Sequence, residues 1–192
     1  MSAPQDRGAG RVLRAAARTA VPWRNGGGVT REVAAGPEGA GLDGFDWRVS
    51  LADVRADGPF SAFPGTDRIL TVADGSGMDL EAGGRHLRAE RYVPLRFPGD
   101  VPTEGRLVGG PVVNLNVMHR RGALVADVTV VRGGHTLPAA APGAVVLVVA
   151  LDRAVEVAGA RLGRHDAVLG PPPGAELRTE GYAAVVTLAR TR

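Results

Sequence analysis

The sequence predicts an all-β protein, and three observations carry that reading. Glycine at 28 and proline at 14 of 192 residues favour many short strands joined by turns. Segments such as Phe45–Val54 alternate apolar and polar residues with the period of a half-buried strand. The longest apolar run, Ala144 to Leu151, has the length and valine content of a buried strand, far short of the ~20 apolar residues of a membrane span. A chain of this length suits one large all-β domain or two small fused halves.

In order along the chain, residues 1 to 9 are small and polar and are expected to fray. Val12 and Leu13 begin an extended segment leading to Pro22. Pro22 fixes its own φ and biases Val21 toward extended geometry, and Gly26, Gly27 and Gly28 then allow a sharp turn. From Val29 the chain alternates, with Val29, Arg31 and Val33 on one face and Thr30 and Glu32 on the other. After a glycine-rich loop, Phe45, Trp47, Val49 and Leu51 face one way and Asp46, Arg48, Ser50 and Ala52 the other. Asp57-Gly58-Pro59 ends that strand, and Phe60, Phe63 and Pro64 form an aromatic loop.

Arg68 to Ala73 is the next strand, joined through Asp74-Gly75-Ser76-Gly77 to Met78–Leu80 as a hairpin. Val112 to Met118 sets Asn114, Asn116 and Met118 on one face. Leu137 to Pro142 and Pro171 to Gly174 read as connections, and Tyr182 to Leu188 as the last strand. The segment Val146–Val157 repeats the earlier layout, with Leu147 and Val149 answering Leu70 and Val72, and Val155 and Val157 answering Met78 and Leu80. Each copy then reaches a glycine turn and a leucine, Leu87 or Leu162. The repeat suggests two related halves.

All 23 basic residues are arginine, but the net charge is only +3 and the arginines are interleaved with acids, which argues against a nucleic-acid partner. The absence of cysteine removes thiolate chemistry and disulfides and fits a reducing compartment, with cytoplasm the default. The N-terminal arginines lack the apolar core of a secretory signal, and no membrane association is expected. The glycine run has no Lys-Ser/Thr after it and opens a strand, so a phosphate loop is not expected. His86, His119, His135 and His165 are isolated, and His86-x-x-x-Glu90 lacks a partner histidine, so neither a metal nor another cofactor is expected. No G-x-S-x-G elbow supports a serine triad.

Four segments, PWRNGGGVTREVA, FDWRVSLADV, DGPFSAFPGTDRILTV and VNLNVMHRRG, resemble in order the signature segments of the HutD/Ves family, over about residues 10 to 125. The resemblance implies a cupin-like β-sandwich or barrel, bicupin-like here, associated with bacterial histidine utilisation. It divides the chain into residues 1–125, carrying the motifs, and a smaller half, residues 126–192, packed as one globular unit. In that family the position of Asn114 usually holds aspartate in a D-x-N-x-M pattern, so this chain departs there.

The polar faces of three strands, Thr30 and Glu32, Arg48 and Ser50, Asn114 and Asn116, are the best candidate constellation. They present a guanidinium, a carboxylate, amides and hydroxyls, which suits a small organic acid; the alternative is an ordinary solvated face. Seven of the eight aromatics precede residue 98, and all three asparagines, Asn25, Asn114 and Asn116, fall in motif segments. Trp23, Phe60 and Phe63 are walls of such a pocket or core packing, with Ser61 beside them. Arg68 is expected to pair with Asp67 or Glu32, as a buried arginine requires. The sequence thus predicts a cytoplasmic binder of a small carboxylated metabolite, and the family resemblance implies that it modulates histidine degradation. The alternatives are a metal-independent isomerase or lyase with Glu32 as general base and Arg48 as substrate anchor, and an interaction scaffold; homodimerisation is open.

Overall fold

The computed structural model describes residues 10–139 and 141–191. The expectations for residues 1–9, and for Ala140 within the Leu137–Pro142 connection, fall outside them. The described chain is all-β, with seventeen strands and one 3₁₀ turn, Ala15–Ala17. The strands are β1 (Arg11–Leu13), β2 (Ala20–Pro22), β3 (Gly28–Gly36), β4 (Trp47–Val54), β5 (Gly58–Pro59) and β6 (Thr66–Asp74). Then come β7 (Met78–Ala82), β8 (Arg85–Ala89), β9 (Leu95–Pro98), β10 (Thr103–Leu107), β11 (Val112–Arg120) and β12 (Leu124–Thr136). The last five are β13 (Val145–Ala150), β14 (Val155–Val157), β15 (Ala160–Leu162), β16 (Ala167–Leu169) and β17 (Glu176–Arg190). No helix among the described residues is long and apolar enough to cross a membrane.

The chain divides into two compact units. One comprises Arg18–Val128 with the C-terminal Arg190 and Thr191. It holds a six-stranded antiparallel sheet, β2-β3-β4-β11-β6-β9, and a four-stranded one, β5-β10-β7-β8. Ala52, Val54, Leu70, Val72, Phe97 and Val112 from the first pack with Met78, Leu80, Ala82 and Ala89 from the second. The two sheets therefore form a sandwich closed over one core. The other unit comprises residues up to Ala17 with Thr129–Ala189, built on β1-β16-β13-β17-β14-β15 with β12 also paired to β17. Its core is Val, Leu and Ala throughout, including Val148, Val155, Leu162, Val168, Leu177 and Ala183.

Two sequence expectations are corrected by the ladder. Arg68–Ala73 and Met78–Leu80 do not form a hairpin: β6 is flanked by β11 and β9, while β7 pairs with β10 and β8. Both edges of β6 are occupied, so the turn, with Gly75 at φ 89° and Gly77 at φ 119°, carries the chain from one sheet to the other. The extended run from Val12 to Pro22 is also interrupted. Arg11–Leu13 pairs with Ala167–Leu169, and the 3₁₀ turn that follows is held by Asp166, which accepts from Ala15 N at 2.7 Å and Arg14 Nη1 at 2.7 Å.

Candidate functional site

Strand alternation and register bring the polar residues of the Arg18–Val128 unit onto one face. Glu32 lies opposite Ser50, Ser50 opposite Asn116, and Asn116 opposite Leu70, so these four form a row across β3, β4, β11 and β6. In the next row Arg48 lies opposite Met118, Met118 opposite Arg68, and Arg68 opposite Phe97. Leu70, Phe97 and Ala52 on this face belong to the sandwich core. The face is therefore the interior of the sandwich, and Ser50, Arg68, Asn114 and Asn116 are all buried. The solvated-face alternative does not describe these four residues.

Arg68 is the most unusual member, at 6% exposure. Its guanidinium lies 5.2 Å from the ring centroid of Phe60, 5.6 Å from Phe63 and 5.5 Å from Phe97. Its Nε donates to Asn116 Oδ1 at 3.4 Å and its Nη1 to the Ser61 carbonyl at 3.2 Å. The expected ion pairs do not form. Asp67 points away from Arg68, as successive residues of a strand do, and binds Arg121 at 2.8 Å. Glu32 is taken by Arg48 Nε at 2.8 Å. Burial, and secondarily the charge of Arg48, push the Arg68 guanidinium down to about 10. Three aromatic faces offset part of the cost of burying this cation, and no described carboxylate offsets the rest.

Local packing builds this aromatic enclosure. The loop carrying the phenylalanines is tied down by Phe60 N to Thr103 O at 2.9 Å and Phe63 N to Gly99 O at 2.8 Å. A Cβ at Gly105 would stand 2.7 Å from the Phe60 ring, and one at Gly99 would stand 3.1 Å from Arg68 Cγ. Both glycines are thus the space the ring and the arginine stem occupy.

The remaining predicted residues are placed around this centre. Trp23 Nε1 donates to Thr30 Oγ1 at 2.8 Å, and Trp23 packs against the sandwich core. Asn25 does not join the row: it is exposed, and its Oδ1 accepts from Gly27 N at 3.0 Å, closing the glycine turn. Ser61 contributes its backbone carbonyl while its side chain is exposed. The strand β3 shifts register between Glu32 and Ala34, so the alternation expected through Val33 breaks at a bulge just after Glu32. Sequence reading missed Phe97, which reaches Arg68 only through the pairing of β9 with β6. Of the histidines, His119 is buried with Nδ1 2.9 Å from the Leu124 carbonyl. Among the described residues no three His, Cys, Asp or Glu side chains converge as a metal site would require.

The model of the HutD family matches residues 15–187 of the chain. An uncharacterized 21.2 kDa protein in the hutC 3′ region of Pseudomonas putida is 39% identical over 109 residues, 56% of this chain. The chain spans 57% of that relative's length. The structure of HutD from Pseudomonas fluorescens SBW25, from a formate condition, matches with a TM-score of 0.83 at 32% identity, over 95% of this chain and 99% of that one. A cupin 2 conserved barrel domain protein from Leptotrichia buccalis matches at TM-score 0.54 and 12% identity over 95% of this chain and 97% of that one, a likeness of fold alone.

Proposed function

Because the chain belongs to the HutD family, a cupin-like group, we propose that the interior of its Arg18–Val128 sandwich binds a small carboxylated metabolite and so modulates histidine degradation in the cytoplasm. The observation that carries the reading is Arg68, a buried guanidinium ringed by three phenylalanines, with the charge of Arg48 acting on it and no described carboxylate against it. The one carboxylate at the rim, Glu32, is engaged by Arg48 and not by Arg68. An incoming carboxylate would complete the charge balance and gain charge-assisted hydrogen bonds in a dry setting. The enzyme reading has less support, since the Glu32 carboxylate that would serve as general base already accepts from Arg48. The parallel succession of β6–β8 and β13–β15 supports, as part of the same proposal, a common origin of the two units.

Thermal-shift titration tests the reading. Urocanate, N-formimino-glutamate or N-formyl-glutamate at millimolar concentration should raise the melting temperature, because a ligand that binds only the folded state stabilises it by mass action. Arg68→Met keeps an apolar stem among the phenylalanines and should weaken binding by roughly ten- to a hundred-fold, the ~1.5–3 kcal/mol of a hydrogen bond to a charged group. No shift with any of these acids, or an Arg68→Met protein that melts as the parent and binds as tightly, removes the proposal.

A further inference from the structure

One polar group on the interior face has no role in holding a carboxylate against Arg68. Asn114 is 1% exposed, and its Nδ2 is buried with no hydrogen-bond partner. Its cross-strand neighbours, Ala52 on β4 and Val72 on β6, both belong to the sandwich core, so the amide projects into the same interior as Asn116. An unpaired buried donor is costly, and the apolar neighbourhood would accept leucine, of similar shape, without that cost. The donor is therefore explained by a partner that arrives with the ligand.

Side chains two residues apart on a strand stand roughly 7 Å apart on one face. Asn116 is the residue that Arg68 Nε reaches. A ligand whose carboxylate meets Arg68 beside Asn116 extends along β11 toward Asn114. We infer that the site selects small acids carrying a second oxygen acceptor a few bonds from the carboxylate, a dicarboxylate or a carboxylate with a carbonyl, and that Asn114 Nδ2 donates to that second acceptor. This inference rests on the carboxylate reading of Arg68 and specifies the class of acid. A site built around a buried donor discriminates strongly against analogues that lack the matching acceptor.

The experiment is calorimetric titration with three acids of one chain length: valerate, glutarate and the half-amide of glutarate. Parent protein should bind glutarate and the half-amide about tenfold or more tighter than valerate. Asn114→Leu should bind all three as the parent binds valerate, and should melt higher than the parent because the unpaired donor is gone. The inference is overturned if the parent binds the three acids equally, or if Asn114→Leu keeps the preference. A parent preference for glutarate alone overturns it too, since that pattern reads charge, which Arg48 supplies, and not an acceptor. These parent measurements decide the matter even if the variant fails to fold. Failure of every acid, valerate included, instead sinks the carboxylate reading of Arg68, and this inference with it.

Discussion

The two units of this chain solve the same packing problem with different interiors. In the Thr129–Ala189 unit the core is valine, leucine and alanine. Among its described residues the buried charged one is Asp166, saturated by donors from Ala15, Arg14 and Gly163. Burial alone would raise the Asp166 carboxyl, yet those donors outweigh it and hold it below the usual carboxylate range. In the Arg18–Val128 unit the core face carries Arg68, Asn114, Asn116 and Ser50, with Arg68 lacking an acid and Asn114 an acceptor. The apolar unit demonstrates that a β-core of this kind needs no interior cations or amides. Their presence in the other unit is a cost to stability, and such costs concentrate at sites that bind.

The sharpest way to break the contrast is to damage the apolar core. Leu177 is fully buried there, so Leu177→Ala should lose ~2–5 kcal/mol in urea denaturation while leaving carboxylate affinity unchanged. A parallel fall in affinity would mean that the interior face of the other unit depends on this core, and the division of labour would fail. A smaller effect is expected from Arg48→Met. Arg48 stands at the rim and is already engaged by Glu32, so its removal should weaken carboxylate binding by roughly two- to tenfold, less than Arg68→Met does. A larger loss at Arg48 than at Arg68 would move the anchor to the rim. The smallest effect is alkaline. With the folded-state value of Arg68 depressed to about 10, carboxylate affinity should be flat up to about pH 9 and fall as pH passes 10. Stability responds with the opposite sign. Between about 10 and the ordinary arginine value the unfolded chain holds the proton more tightly, so this group's contribution to stability rises with pH. Titration of Arg68→Met, which should lack both trends, checks the assignment.

Much of this was legible from residue order. Alternation placed Arg48 with Ser50 and Asn114 with Asn116 on shared faces, and the register aligns Ser50 with Asn116. What alternation could not say is which face is interior, because both faces of β4, β11 and β6 are buried: Val49, Leu51, Leu115, Val117 and Ile69 on one side, Ser50, Asn116 and Leu70 on the other. The hairpin error at Met78 has a similar cause, since a Gly-rich turn allows reversal within a sheet or passage to another, and only the competition of β9 and β11 for the edges of β6 decides. The expectation that Asp67 pairs with Arg68 was avoidable, as neighbours on a strand point apart. The aromatic ring around Arg68 was not readable, because Phe97 joins Phe60 and Phe63 only through the pairing of β9 with β6.

The placement of the indoles makes the two interiors optically distinct. Both tryptophans of the chain, Trp23 and Trp47, lie in the Arg18–Val128 unit, and Tyr182 is the one aromatic residue after position 98. Excitation selective for indole therefore follows the melting of one unit while the other stays dark. Trp47 is 9% exposed, whereas Trp23 is only partly covered and shares its ring N–H with Thr30. A soluble quencher should accordingly silence Trp23 first, leaving a blue-shifted remainder from Trp47, and an acid that enters beside Glu32 and Thr30 should perturb the quenchable component alone.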